Sequence, residues 1–216
     1  MPTVKVDPFL VKDQTDEKLQ NLGIRVPSWL PAIEQSEMRG LDQLVGRALT
    51  MNALLAIYFG APIPVIKTWI HNNGLDHHLS NSECNILIKD NAQLTKSEVT
   101  NLYGYIEGLW ALMWVGGLID VLDFTHPIDD TMVLLVPNLQ VNEDGSKFKR
   151  KMKLRPYSEL FAMLDLSYRL HWYARDGSLH GYSTEPISLD IVVERRKALE
   201  WLMDQSADWD HINLST

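Results

Sequence analysis

At 216 residues, with 45% apolar and 22% charged side chains, the chain is long enough to bury a full core and has the make-up of a soluble globular protein. A formal net charge of −8 counts against a general nucleic-acid or anionic-membrane binder, both of which want a basic field, and leaves room for a basic protein partner. No apolar run reaches the roughly 18 residues of a membrane span, and Met1 to Pro8 lacks the apolar core of a signal peptide. The single cysteine, Cys84, excludes an intrachain disulfide and fits a reducing cytoplasm.

Residues 1–39 are interrupted by Pro8, Pro27 and Pro31 and are expected to wrap a main helical domain spanning 40–212. Within them Thr15, Glu17 and Leu19 would open a short helix ending near Gly23, and Val26 to Pro31 reads as extended, because a residue before proline is pushed out of the helical region. From Leu41 to Phe59, Leu44, Ala48, Met51, Leu55 and Tyr58 recur at helical spacing, with Arg47 inside that face. Gly60-Ala61-Pro62 ends this helix. Pro62 or Pro64 suits the first turn of the next, which carries Val65, Ile66, Trp69 and Ile70 and stops at Gly74.

Ser80 with Glu83, and Thr95 with Glu98, form two capping boxes, in which hydroxyl and carboxylate satisfy the free amides of a helix start. Cys84 then reads as a small buried side chain on a helix. The second box opens the most apolar helix, about Lys96 to Gly116, with Val99, Leu102, Ile106, Leu109, Trp110, Met113 and Trp114 on a broad arc. Gly104, Gly108 and Ala111 on its reverse would let another helix come close, and Glu107 lies at the border of the two faces. Between 118 and 155 the helical period is lost: Thr131 to Val136 reads as a short strand, Asn142 to Gly145 as a turn, and Lys147 to Arg155, six basic residues in nine, as a charged edge strand.

Pro156 starts a helix through Ser158 to Gly177. On it Asp165, Tyr168, Arg169, Trp172, Arg175 and Asp176 share about a third of the circumference, opposite Met163, Leu166, Leu170 and Tyr173. Tyr, Trp and Arg stack and hydrogen-bond in enclosed places, so this stripe is either a buried polar network or the floor of a pocket. Ser188 caps a last helix, Leu189 to about Met203, where Arg195 interrupts an apolar face of Ile191, Val192, Ala198, Leu199 and Leu202, flanked by Glu194 and Trp201. The expected fold is mainly α, a single-domain multi-helix bundle packed around 96–116 and 158–177, with at most a small β element near 131–155.

An uncompensated buried charge costs several kcal/mol, so the inward-leaning Arg47, Arg169 and Arg195 need carboxylates. Glu107, Asp165 and Glu194 are placed to supply them, with Glu107 or Asp165 the expected partner of Arg195. Such a set either fixes helix register or lines a polar pocket in the bundle. His71, Asp76, His77 and His78 cluster in a turn but lack the two-histidine spacing of a zinc helix, so no metal is expected. His171 would serve as a general base only if it opened into a pocket. A phosphate-binding glycine loop, a nucleophile elbow and a paired-cysteine motif are all absent, and neither a cofactor nor a catalytic residue is assigned. Two functions follow as expectations. The first is a cytoplasmic, non-enzymatic interaction protein, one form of which neutralises a basic toxin or effector. The second is an enzyme or small-ligand binder with a polar pocket around Tyr168, His171, Trp172, Arg175 and Glu107.

Glu107 to Trp114, Leu164 to Trp172 with Arg175-Asp176, Glu194-Arg195 followed by Ala198 to Leu202, and Trp209-Asp210 resemble segments of a bacterial family of uncharacterised proteins, the domain-of-unknown-function family numbered 4272. A weaker likeness runs from Arg47 through Tyr58 to Pro62 and on to Leu79-Ser80, so that about residues 40–212 are covered. The family pattern has asparagine where this chain has Glu200, and often where it has His180. The resemblance implies a helical domain with no established activity.

Overall fold

The computed structural model describes residues 6–128 and 130–216, so the first five residues of the expected N-terminal segment lie outside the described residues. Pro8 starts a helix rather than breaking one. Its fixed φ and missing N–H suit the first turn, and the Asp7 carboxylate accepts from the amides of Phe9 and Leu10, so α1 runs Pro8–Asn21 and buries Val11, Thr15 and Leu19. α2 spans Leu41–Tyr58 and α3 Ile63–Asn72. Every residue of α2 from Leu44 to Leu55 is buried, the mark of a helix enclosed on all sides.

Both capping boxes form, opening α4 (Asn81–Ile86) and α5 (Lys96–Val115). Cys84 on α4 is exposed, contrary to its reading as a buried side chain, because Glu83 and Ile86 take the inward face of that short helix.

Two expected β segments are helical instead, and no strand occurs among the described residues. Asp130–Leu134 is a 3-10 turn, and Lys147 to Lys151 belong to α6 (Ser146–Lys151). The reason lies in spacing. Phe148 and Met152 both insert into the core, and a separation of four residues puts two side chains on one side of a helix but is also compatible with one face of a strand. The Asp144 carboxylate, accepting from the amide and hydroxyl of Ser146, tips the choice to a helical turn. Beyond it the chain extends, and the amides of Lys153 and Arg155 donate to the carbonyls of Gly116 and Val115 at 2.8 and 3.0 Å.

α7 (Tyr157–His180) continues past Gly177 and ends at Gly181, whose φ of +74° closes the helix. α8 is Leu189–Met203. The packing forms a series: α2 lies against α5, α5 against α8 and α8 against α7, with α3 joining α2 and α1 joining α7 at the two ends. Gly108 lies at the central contact, with room toward α8 for a methyl group but little more. A Cβ there would meet the Glu194 carbonyl at 3.6 Å and the Ala198 Cβ at 3.8 Å, both on α8. The fold is thus mainly α, a single compact helical domain, and no helix among the described residues is long and apolar enough to cross a membrane.

Candidate functional site

The core of this helical series contains four buried arginines: Arg47, Arg169, Arg195 and Arg196. A guanidinium cannot lose its proton in a protein, so each must be answered where it sits. Arg47 of α2 makes a two-pronged pair with Glu83 of α4, one prong being Nη1 to Oε2 at 2.8 Å, and donates also to the carbonyl of His78 at 3.1 Å. The hydroxyl of Tyr105, from α5, donates to Glu83 Oε1 at 2.6 Å, and the Trp209 ring lies 4.0 Å beneath the guanidinium. Burial opposes the Glu83 carboxylate, but Arg47 and the hydrogen bonds from Ser80 and Tyr105 outweigh it and bring its pKa below the ordinary range.

Arg195 of α8 pairs with Glu107 of α5, Nε to Oε2 at 2.8 Å, and donates from Nη2 to the carbonyl of His126 at 3.1 Å. Arg169 is clasped by Asp165 one turn back on α7 at 3.0 Å. Asp16 of α1 lies 3.2 Å from its Nε, and the Pro31 carbonyl accepts from Nη2 at 3.3 Å. Arg196 turns the other way from Arg195, since consecutive helical residues diverge by about 100°. It meets Glu200 at 3.0 Å, the ring of Tyr168 at 4.9 Å, and the carbonyls of Leu214 and Ser215. Each arginine therefore joins two helices or ties an irregular segment to one.

His171 belongs to the last of these clusters. It is 5% exposed, and its Nδ1 lies 2.8 Å from Arg196 Nη1. Arginine can only donate, so this nitrogen accepts and the neutral ring carries its proton on Nε2. Burial, then Arg196 and Arg175, push the His171 pKa down to about 4.

The sequence-nominated residues are thus divided by α8. Glu107, on α5, meets one side of α8 at Arg195, while Tyr168 and His171, on α7, meet its other side at Arg196, and the structure does not bring them to one pocket. Trp172 packs edge-on to Trp29 at 6.0 Å, Arg175 is exposed beside Thr216, and Asp176 accepts from the hydroxyl of Tyr182 at 2.8 Å. Trp110 is half-buried. Trp201 is buried under the guanidinium of Arg39 at 4.4 Å. Glu194, expected to answer an arginine, does not: its carboxyl group rests against Gly104. Among the described residues no group of histidine, cysteine and carboxylate side chains has the arrangement to hold a metal.

The largest described cavity, about 770 Å³, is a groove between the C-terminal half of α2, α5 and the segment 127–140. Its walls include Leu55, Phe59, Ile106, Met132, Val133 and Leu134, and among the described residues its charged side chains are Glu107 and Asp130, with neither lysine nor arginine. Glu107 lines this groove, and its Oε2 is held by Arg195.

A family model for a domain of unknown function, DUF4272, matches residues 11–212. The chain belongs to that family. No curated protein and no solved structure matches it. The DUF4272 match begins inside α1 and closes just after Trp209, so it takes in all four arginines and the carboxylates that answer them. Two key members of those clusters escaped the sequence reading. Glu83 is read there only as a cap, a role it does fill by accepting from the amide of Ser80 at 2.8 Å, while its charge answers Arg47 in place of Glu107, Asp165 or Glu194. Arg196 was hidden beside Arg195; two adjacent arginines on a helix between two partners are the signal that both neighbours supply acceptors.

Proposed function

We propose that this DUF4272 protein is a non-catalytic interaction protein whose groove binds an apolar, positively charged segment of a partner protein in the cytoplasm. The observation that carries this is the groove's chemistry: exposed apolar walls, with Phe59 at 66% and Leu134 at 78% exposed, and the carboxylates of Glu107 and Asp130 in the lining. A contiguous apolar surface rimmed by polar groups is the usual form of a docking site, and an amphipathic helix laid in a groove buries its greasy side in this way. The charge of Glu107 is already answered by Arg195, so the exposed carboxylate of Asp130 is the one that favours a partner with lysine or arginine beside its apolar anchors. A basic toxin or effector held inactive by this chain would be such a partner. The enclosed His171, turned to Arg196, favours this reading over catalysis at the α7 stripe.

Phage display of random peptides on the full chain tests the proposal. Selected peptides should combine aliphatic or aromatic anchors with basic residues, lose binding to Leu134→Asp, and bind Asp130→Lys more weakly and with less dependence on salt. Failure to select such peptides, or peptides that bind Leu134→Asp unchanged, would refute it.

A further inference from the structure

A second cavity, about 360 Å³, lies between α4, α5, α8 and the turn at Trp209–His211, away from the groove. Its size is that of a small-molecule site, roughly 300 Å³ upward. Four charged side chains line it: Glu98, Asp210, Glu194 and Lys197. Two are occupied by the protein. Asp210 accepts from the amide and hydroxyl of Ser82 at 2.9 and 2.6 Å. Glu98 accepts from the amide and hydroxyl of Thr95 at 2.8 and 3.0 Å and pairs through its other oxygen with Lys89.

Glu194 and Lys197 are different. They stand one turn apart on α8, both partly buried, and among the described residues neither makes a hydrogen bond or an ion pair, with each other or with anything else. The Lys197 ammonium sits over the Trp209 ring, 4.7 Å from its centre. Gly104 makes room for the Glu194 carboxyl: a Cβ there would lie 2.9 Å from its carbon. Burial pushes the Glu194 carboxyl pKa up and the Lys197 ammonium pKa down, and the attraction between the two charges offsets this only in part. Ile86, Leu102 and the Tyr105 and Trp209 rings provide carbon surface between them, and the amides of Asn85 and Asn101 stand exposed at the rim.

We propose that this cavity binds a small zwitterion, with Lys197 taking the ligand's carboxylate, Glu194 its ammonium group, and Trp209 packing on its carbon frame; a free amino acid is the simplest such molecule. Sign and number decide the class. A polyanion such as a nucleotide would face three carboxylates against one lysine, and a simple cation would leave Lys197 unanswered. A molecule bearing one charge of each sign satisfies the two open groups together.

The test is calorimetric titration of the full chain with a panel of the standard amino acids, ω-amino acids, betaine and simple dipeptides. At least one member should bind one to one with a Kd below about 1 mM, and its N-acetylated and its amidated forms should each bind about tenfold or more weakly. Lys197→Met and Glu194→Gln should each lose binding while the chain stays folded, as its melting curve will show, since neither side chain makes a hydrogen bond or a close ion pair among the described residues. Gly104→Ala, which displaces the Glu194 carboxyl, should weaken binding without unfolding the chain. Leu134→Asp should have no effect, which separates this site from the groove. If no panel member binds, or if binding survives both charge substitutions, the assignment is wrong.

Discussion

Glu83→Gln probes the deepest of the four arginine clusters. Glu83 is 0% and Arg47 1% exposed, so the substitution removes the negative charge facing a guanidinium that no water can reach. The amide keeps one acceptor oxygen, enough for the Ser80 amide, while its NH2 takes the place of the oxygen that accepted from Tyr105 and from one prong of Arg47; the tyrosine hydroxyl can turn to accept, but the guanidinium cannot, so the loss is that of the charge together with one hydrogen bond to Arg47. Breaking a buried pair from one side costs about 3–5 kcal/mol, against the roughly 5–15 kcal/mol that holds a domain together. For a domain of this size that is on the order of 6–20 °C in melting temperature. Urea unfolding of the single variants Glu83→Gln and Arg47→Met, and of the double variant, measures the coupling directly. The double variant should be more stable than Glu83→Gln alone, because methionine leaves no charge to be answered and can pack against Trp209. A loss below about 1 kcal/mol for Glu83→Gln, or strictly additive losses, would mean that the pair is solvated and that the argument from burial fails.

His171 makes stability pH-dependent. Its pKa is about 4 in the fold against an ordinary value of 6.5, so between these pH values the unfolded chain binds the extra proton. The contribution is complete above pH 6.5 and is lost as the pH falls toward 4, by up to on the order of 3 kcal/mol. Urea midpoints taken across that window should fall less steeply for His171→Gln, and an unchanged slope would contradict the assignment of a neutral ring. Gly108 separates two outcomes by size. Gly108→Ala should be tolerated, since its nearest neighbour is the flexible end of Met51 at 2.8 Å, whereas Gly108→Val should press on the α8 backbone and cost about 1–3 kcal/mol in the same assay.

Much of the fold was legible in local sequence, because helices are specified by near neighbours. The capping boxes at Ser80 and Thr95 satisfy amides three residues away, and the glycines and alanine of Gly104, Gly108 and Ala111 declare a close helix contact without naming its partner. Position within an apolar face was likewise enough to say that Arg47 and Arg195 are enclosed, and the tyrosine and tryptophan beside Arg169 on its stripe pointed the same way for it. Where the period was weak, from 118 to 155, the spacing of Phe148 and Met152 could not separate strand from helix, and the Asp144 carboxylate on Ser146 tipped it to a helical turn.

Which acceptor answers which arginine was settled only by the tertiary structure. Arg47 and Glu83 are separated by 36 positions and Arg195 and Glu107 by 88, and no local rule connects residues so far apart. The order α2, α5, α8, α7 puts Glu107 and His171 on opposite sides of one helix, although composition alone would group them in one pocket. Periodicity reports whether a side chain faces inward; the packing of the helices determines what it meets there.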